Sequence, residues 1–303
     1  MTQPGVNSID TISWSSLRSI SDPYIQLCKP RIVVMVVVVT ALGFRLAGGS
    51  PISGFETLFW TVIGTVMTGG GASVLNQYLE RDSDALMART CKRPIPAGLI
   101  TPEVALYFGI LLCLAGVTAL VLMVNLLTGF LGLLTAFLYV LVYTPLKKIT
   151  WMNTLVGAIP GALPPVGGWT AVTGNIDGGA IALFLILFIW QMPHFYAIAW
   201  MYKEDYAKGG FKMLPVVDPT NKQTFFQIIL FCHILILVSL LPTWLGLTGS
   251  LYLVIAVSAG GYFLVRGLEF VCNATRLNAR GVVLASLVYL PALLFAATLD
   301  SSF

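Results

Sequence analysis

Nine apolar stretches run through this 303-residue chain, each near the 20 residues a helix needs to cross about 30 Å of hydrocarbon. They fall at 31–48, 56–79, 103–123, 125–144, 152–172, 180–202, 225–246, 250–270 and 281–299. The junctions at Asn125 and at Gly246–Ser250 are tight, as hairpins between antiparallel helices require. Only 10% of residues are charged, where soluble domains carry about 25%, so the chain cannot cover a globule in water. The same composition excludes disorder, a collagen-like or coiled-coil structure and a disulfide-rich scaffold. The fold class is all-α: a polytopic membrane protein with nine transmembrane helices in a bundle. Residues 1–24 read as a flexible cytoplasmic tail and 25–303 as one transmembrane domain.

The basic residues give this count an orientation. With nine spans, 16 of the 17 Lys and Arg fall on one side, in the N-terminal segment and the loops after spans 2, 4, 6 and 8, and only Arg45 falls on the other. The positive-inside rule then puts the N-terminus in the cytoplasm and the C-terminus outside. The net charge of +4 thereby has a membrane explanation, and no motif points to nucleic acid. The first 30 residues carry Asp10 and Asp22 and no basic-then-apolar pattern, so they read as neither signal nor transit peptide. Five cysteines without metal-ligand spacing read as reduced thiols or packing residues.

Polar residues concentrate in the loops after spans 2 and 6, where function is to be sought. The end of span 2 reads NQYLERDSDALMARTCKRPIPAG from Asn76. On a helix Asn76, Glu80 and Asp84 share one face, each step of four adding only about 40° of rotation, while Asp82 points elsewhere. Two carboxylates and an amide oxygen on one face suit Mg²⁺, and Arg89, Lys92 and Arg93 follow to meet an anion. The ordinary alternative is a solvated, charge-balanced loop.

Span 6 reads IWQMPHFYAIAWMYKEDYAKGGFKMLP from Ile189. Helical angles place His194, Met201 and Asp205 within about 20° of one direction, near Trp190. Asp205 would stand at the cytoplasmic mouth with Lys208 and Lys212 after it, and His194 about 16 Å deeper on a continuous helix. An intramembrane His is a functional candidate, its alternative being a hydrogen bond to a neighbouring helix. His233 has no polar company and reads as packing. Span 4 ends in YTPLKK, with Tyr143, Lys147 and Lys148 at the same level, although anchoring alone accounts for the two lysines. Gly69 to Gly71, Gly157 and Gly161 would let helices approach closely. No Walker loop, GxGxxG, HExxH or Ser/His/Asp set occurs.

These motifs resemble those of the UbiA superfamily of intramembrane prenyltransferases. NQYLERDSD resembles its first Asp-rich motif, Asn-xxx-Asp-xxx-Asp, with Glu80 for the middle Asp, and RTCKRPIPAG resembles the loop that follows. The second Asp-rich motif departs further, Met201 standing where many members have an aspartate and leaving Asp205. In this departure, and in YTPLKK, NTLVGAIPGALPPVGGW, WQMPHFYAIAW and GGFKMLP, the chain is similar to the haem-farnesylating branch.

The resemblance implies a helical bundle around an intramembrane cavity, with the active site at the cytoplasmic face of a bacterial inner membrane. It implies farnesyl diphosphate and haem B as substrates, haem O as product, and Mg²⁺ held through the diphosphate by Asn76, Glu80, Asp84 and Asp205. Arg93 and Lys147 would join these as catalytic groups, with Arg81, Arg89, Tyr143, Lys148, His194, Lys208 and Lys212 binding substrate. Haem would be a substrate and not a resident cofactor, and a haem A synthase or oxidase assembly factor a natural partner. A quinone or chlorophyll prenyltransferase is the rival within the class, and a transporter the rival outside it. Transporters place polar residues and broken helices near the midplane, whereas here the charges crowd one mouth.

Overall fold

The computed structural model describes residues 14–301, with side chains from residue 21 onward. The first helix, α1 (Trp14–Leu27), and the second, α2 (Pro30–Leu46), meet at a 53° bend. Pro30 causes the break. Its ring disfavours the helical region for the residue before it, and Lys29 adopts a left-handed conformation with φ 51°. The expected tail lies outside the described residues up to residue 13, and from Trp14 the chain is helical.

The third helix, α3 (Phe55–Leu86), has 32 residues and is about 48 Å long, well beyond the hydrocarbon thickness. The whole Asn76–Asp84 motif therefore lies within the helix and not in the loop after it. Pro102 opens α4 (Pro102–Met123), where a missing N–H costs nothing, and Thr101 caps it. Asn125, accepting from the Thr128 amide at 2.8 Å, caps α5 (Leu126–Phe137). A π-helical stretch, Leu138–Tyr143, then leads into α6 (Thr144–Ile149), the three pieces making one span.

The remaining spans are α7 (Asn153–Thr173) and α8 (Gly178–Met201), then the short α9 (Lys203–Lys208) and α10 (Leu214–Val217), and α11 (Lys222–Val238) with the short α12 (Leu241–Trp244) after it. Two long helices, α13 (Ser250–Cys272) and α14 (Arg276–Leu299), complete the chain. By length and composition eight of these runs can cross a membrane, and the bent α1–α2 pair makes a ninth. Among the described residues no strand forms beyond one isolated bridge, Thr248 to Ser301.

Spans pack in chain order from α2 to α14, and α14 returns against α2, closing a ring. Leu111, Leu122 and Leu126 stay exposed, which suits a lipid-facing surface, while the main apolar core lies among α7, α8, α11, α13 and α14. Small residues set the closest contacts. A Cβ on Gly71 would stand 2.7 Å from the Cys113 backbone nitrogen, and one on Gly116 would stand 2.6 Å from that of Thr68, so α3 and α4 touch backbone to backbone. Gly157 instead makes room for the ring of Tyr143, and Gly161 for the amide of Gln191.

Candidate active site

Asn76, Glu80 and Asp84 share one buried face of α3, as helical spacing predicts, at 1%, 5% and 0% exposure. Asp82 points away, its side chain 84% exposed. Each of the three buried groups meets a cation from a different part of the chain. Lys29 donates to Oδ1 of Asn76 at 2.8 Å, Lys147 to Oε1 of Glu80 at 2.6 Å, and Arg93 to Oδ2 of Asp84 at 2.6 Å. Three cations thus surround two carboxylates, leaving one positive charge in excess.

The surrounding elements hold this cluster. Asn76 donates its Nδ2 to Thr144 at 3.0 Å, and the Thr144 hydroxyl donates at 2.8 Å to the Tyr139 carbonyl, which also accepts the Thr144 amide at the end of the π-helical stretch. The Lys147 ammonium lies 4.6 Å from the Tyr143 ring centre and 5.7 Å from that of Phe211. The Lys212 amide donates to the Lys147 carbonyl at 2.7 Å, and Asn153 bonds the Lys212 carbonyl, so the segment after α9 is laced to α6. Thr90 donates to the Asp84 carbonyl at 2.9 Å and folds the loop that carries Arg93 back over α3. Outside the spans, burial pushes the Asp218 carboxyl up. Hydrogen bonds from the Thr224 amide and hydroxyl and from Thr220 outweigh it and hold the group below the usual carboxylate range.

One turn deeper than Asn76 begins an apolar cavity between α2, α3, α4, α5 and α7. Ala72, Gly69, Thr68, Ala136 and Leu163 line it, and the Thr68 hydroxyl is buried without a partner.

Several expected residues stand elsewhere. The stripe joining His194 to Asp205 does not continue. Tyr202 leaves the helical region at φ −118°, ψ 24°, and Asp205 sits on α9, which packs against the end of α3. At this break the Tyr202 ring packs against the guanidinium groups of Arg89 and Arg276, a contact that helical periodicity does not encode. Asp205 is half-buried, and its side chain makes no hydrogen bond or ion pair among the described residues. His194 lies on the side of α8 that faces α14, bonded through Nδ1 to Ser286 at 2.6 Å and stacked on Trp190. Arg89 bonds the Tyr206 hydroxyl at 3.1 Å. Arg81 folds onto Tyr78 of its own helix, and Lys148, Lys208 and Lys212 are exposed without ion pairs among the described residues.

Lys29, Thr144 and Phe211 are the site residues that sequence reasoning passed over. Lys29 directly precedes Pro30 at the start of a span and reads in the sequence only as one of the basic residues that set orientation.

The site sets three basic side chains beside an apolar cavity. The UbiA prenyltransferase family matches residues 36–297. A relative from Solibacter usitatus, named protoheme IX farnesyltransferase, is 46% identical over 88% of this chain and 94% of its own length. Another of that name, from Salinibacter ruber, is 45% identical over 91% and 98%. Among solved structures, one from work on digeranylgeranylglyceryl phosphate synthase superposes with a TM-score of 0.75 at 17% identity, covering 93% of this chain and 98% of its own. A UbiA homologue from Archaeoglobus fulgidus, bound to GPP and Mg²⁺, gives 0.63 at 16% identity over 91% and 99%. Shared fold, family match and relatives along nearly the whole length agree, and this chain belongs to the UbiA prenyltransferase family.

Proposed function

We propose that this protein transfers the farnesyl group of farnesyl diphosphate to a vinyl group of haem B, with addition of water, and so makes haem O for oxidase assembly. The observation that carries the reading is the buried cluster of Lys29, Arg93 and Lys147 around Glu80 and Asp84, set directly above an apolar cavity. The relatives named protoheme IX farnesyltransferase support the choice of acceptor. The 16-to-one split of basic residues supports a cytoplasmic N-terminus and an outer C-terminus, and the bacterial sources of the relatives support a bacterial inner membrane.

In this reading the diphosphate enters among the three cations, which exchange their internal acceptors for phosphate oxygens. Charge-assisted hydrogen bonds from Arg93 and Lys147 then stabilise the negative charge that grows as the C1–O bond breaks. The donor set fits Mg²⁺. Oδ1 of Asp84 is buried without a partner, and Glu80 and the Asn76 carbonyl offer further hard oxygens on the same face. Among the described residues no three His, Cys, Asp or Glu come together to hold a metal alone, so diphosphate oxygens would complete its shell. Bound there, Mg²⁺ would supply positive charge to the departing diphosphate.

The cavity takes the isoprenoid chain and keeps water from the allylic cation, whose charge the rings of Tyr143 and Phe211 face near Lys147. The terminal vinyl carbon attacks C1, charge passes to the vinyl carbon beside the pyrrole, and water adds there with loss of a proton. No protein nucleophile is required. Incubating the purified protein with haem B and farnesyl diphosphate tests the reading. A product heavier by one farnesyl group and one hydroxyl is expected. Prenylation of a quinone precursor with haem B untouched would overturn it.

A further inference from the structure

We infer that the porphyrin acceptor binds along the seam between α8 and α14, its carboxylates on Arg89 and Arg276 and its iron approached by Nε2 of His194. This rests on the haem reading above and adds the place and the residues.

At the mouth of the seam the guanidinium carbon of Arg89 lies 5.0 Å from the Tyr202 ring centre, and that of Arg276 lies 5.6 Å away. Arg89 comes from the loop after α3 and Arg276 opens α14, so the fold brings them together from 187 positions apart in sequence. Neither has a carboxylate within ion-pair distance among the described residues. Membrane anchoring asks for positive charge at this level but not for two guanidinium groups on one ring. Their mutual repulsion is relieved when anionic oxygens sit between them, and planar guanidinium forks match carboxylates in particular.

From this mouth α8 and α14 run antiparallel, Tyr202 opposite Arg276, and His194 and Trp190 opposite Ser286. His194 lies about 12 Å below Tyr202 along α8, a span of the order of a porphyrin's reach from metal to carboxylate once the arginine side chains are allowed for. Its ring is fixed there. Trp190 stacks on it with centroids 5.2 Å apart and planes 19° from parallel, and donates its own Nε1 to the Ser286 carbonyl at 2.9 Å.

The tautomer follows from the bonds of Ser286. Its hydroxyl donates to the Val283 carbonyl at 2.6 Å, so the 2.6 Å contact with His194 needs the proton on Nδ1 of the imidazole. The lone pair then resides on Nε2, which has no hydrogen-bond partner among the described residues and is not sealed off by neighbouring atoms. A neutral imidazole held through Nδ1–H by a fixed acceptor is how metal-ligating histidines are commonly oriented. Tyr206 joins the two halves of the site. It bonds Arg89 and lies edge-on to Phe211, whose other neighbour is Lys147 of the diphosphate cluster.

Kinetics with haem B and with its dimethyl ester, whose carboxylates are masked, test the inference. Arg276→Gln should raise KM for haem B by roughly tenfold or more, the loss expected of one charged hydrogen bond, and leave KM for farnesyl diphosphate unchanged. The dimethyl ester should be a poor acceptor for the unaltered protein and no poorer for the variant. Equal losses on both acceptors, or a loss on farnesyl diphosphate alone, would overturn the assignment. So would a defect found in phosphatidylglycerol vesicles but absent in phosphatidylcholine, which would assign Arg276 to lipid headgroups. Ser286→Ala should shift the absorption spectrum of the haem-bound protein and Ser286→Thr restore it, while an unchanged spectrum would remove His194 from the iron. A protein that binds farnesyl diphosphate but neither binds nor modifies haem B would instead bring down the haem reading itself.

Discussion

The ammonium of Lys29 reaches Oδ1 of Asn76 across 2.8 Å, from a backbone held in the left-handed region that non-glycine residues rarely adopt. Strain of this kind persists where the surroundings impose it, and here the α1–α2 bend imposes it on a cation at the edge of the cluster proposed to hold the diphosphate. Lys29→Met, which keeps the length and removes the charge, should weaken farnesyl diphosphate binding at least tenfold, in line with about 1.5–3 kcal/mol for a charged hydrogen bond. Calorimetric titration decides it. Binding that survives unchanged would reduce Lys29 to a helix cap.

Glu80→Gln and Asp84→Asn should each nearly abolish turnover, since both carboxylates lie on the buried face and each holds a cation. Asp82→Asn should be tolerated, because its side chain is 84% exposed. Initial rates for the three variants are the measurement. Comparable losses at Asp82 and Asp84 would show that the face carries no special role.

Arg93 and Asp84 differ in what each leaves behind. Removing Arg93 strands a carboxylate that is 0% exposed, whose second oxygen already lacks a partner. Arg93→Ala should therefore cost about 3–5 kcal/mol of stability. Asp84→Asn should cost less, because the Arg93 side chain is 26% exposed and can turn to water. Adding Asp84→Asn to Arg93→Ala should recover most of the loss. Thermal denaturation in detergent reads all three, and a double variant no more stable than Arg93→Ala would count against the pairing.

Chelation should stop turnover, and added Mg²⁺ should restore it, if the unpartnered Asp84 oxygen marks a metal position. Full activity in excess EDTA would show that the three cations suffice.

The two intramembrane histidines should separate cleanly. His233 is exposed on α11, with Nδ1 bonded to the Ile229 carbonyl at 2.8 Å, and His233→Ala should be silent. His194→Ala should spare farnesyl diphosphate binding and lose the haem product. Product mass and a binding titration on the same preparation distinguish the two effects.

Local spacing made part of this site legible in the sequence. The number and approximate places of the spans and the face shared by Asn76, Glu80 and Asp84 depend on hydropathy and a 3.6-residue period and survive in the structure, although α3 runs on to Leu86, seven residues past the expected end at 79. The stripe from His194 to Asp205 failed because α8 ends at Met201, four residues short of Asp205, where Tyr202 packs against two arginines. The cations that pair with the carboxylates were visible as basic residues. Which cation meets which acid was not, since Lys29 and Asn76 lie 47 residues apart and Lys147 and Glu80 lie 67 apart. Ser286 gave no signal at all, being one hydroxyl in an apolar run.

The backbone contact between α3 and α4 bears on how such a protein can be made. Gly71 and Gly116 let the two helices close on each other, and Arg93 in the loop between them reaches back to Asp84. Residues 55–123 therefore form a hairpin that neutralises its most buried acid with its own arginine. A nascent chain leaving the ribosome can deliver this hairpin to the bilayer as a unit, with Asp84 never facing lipid unmatched. Only Glu80 must wait for its partner, Lys147, which arrives when the next span has been synthesised.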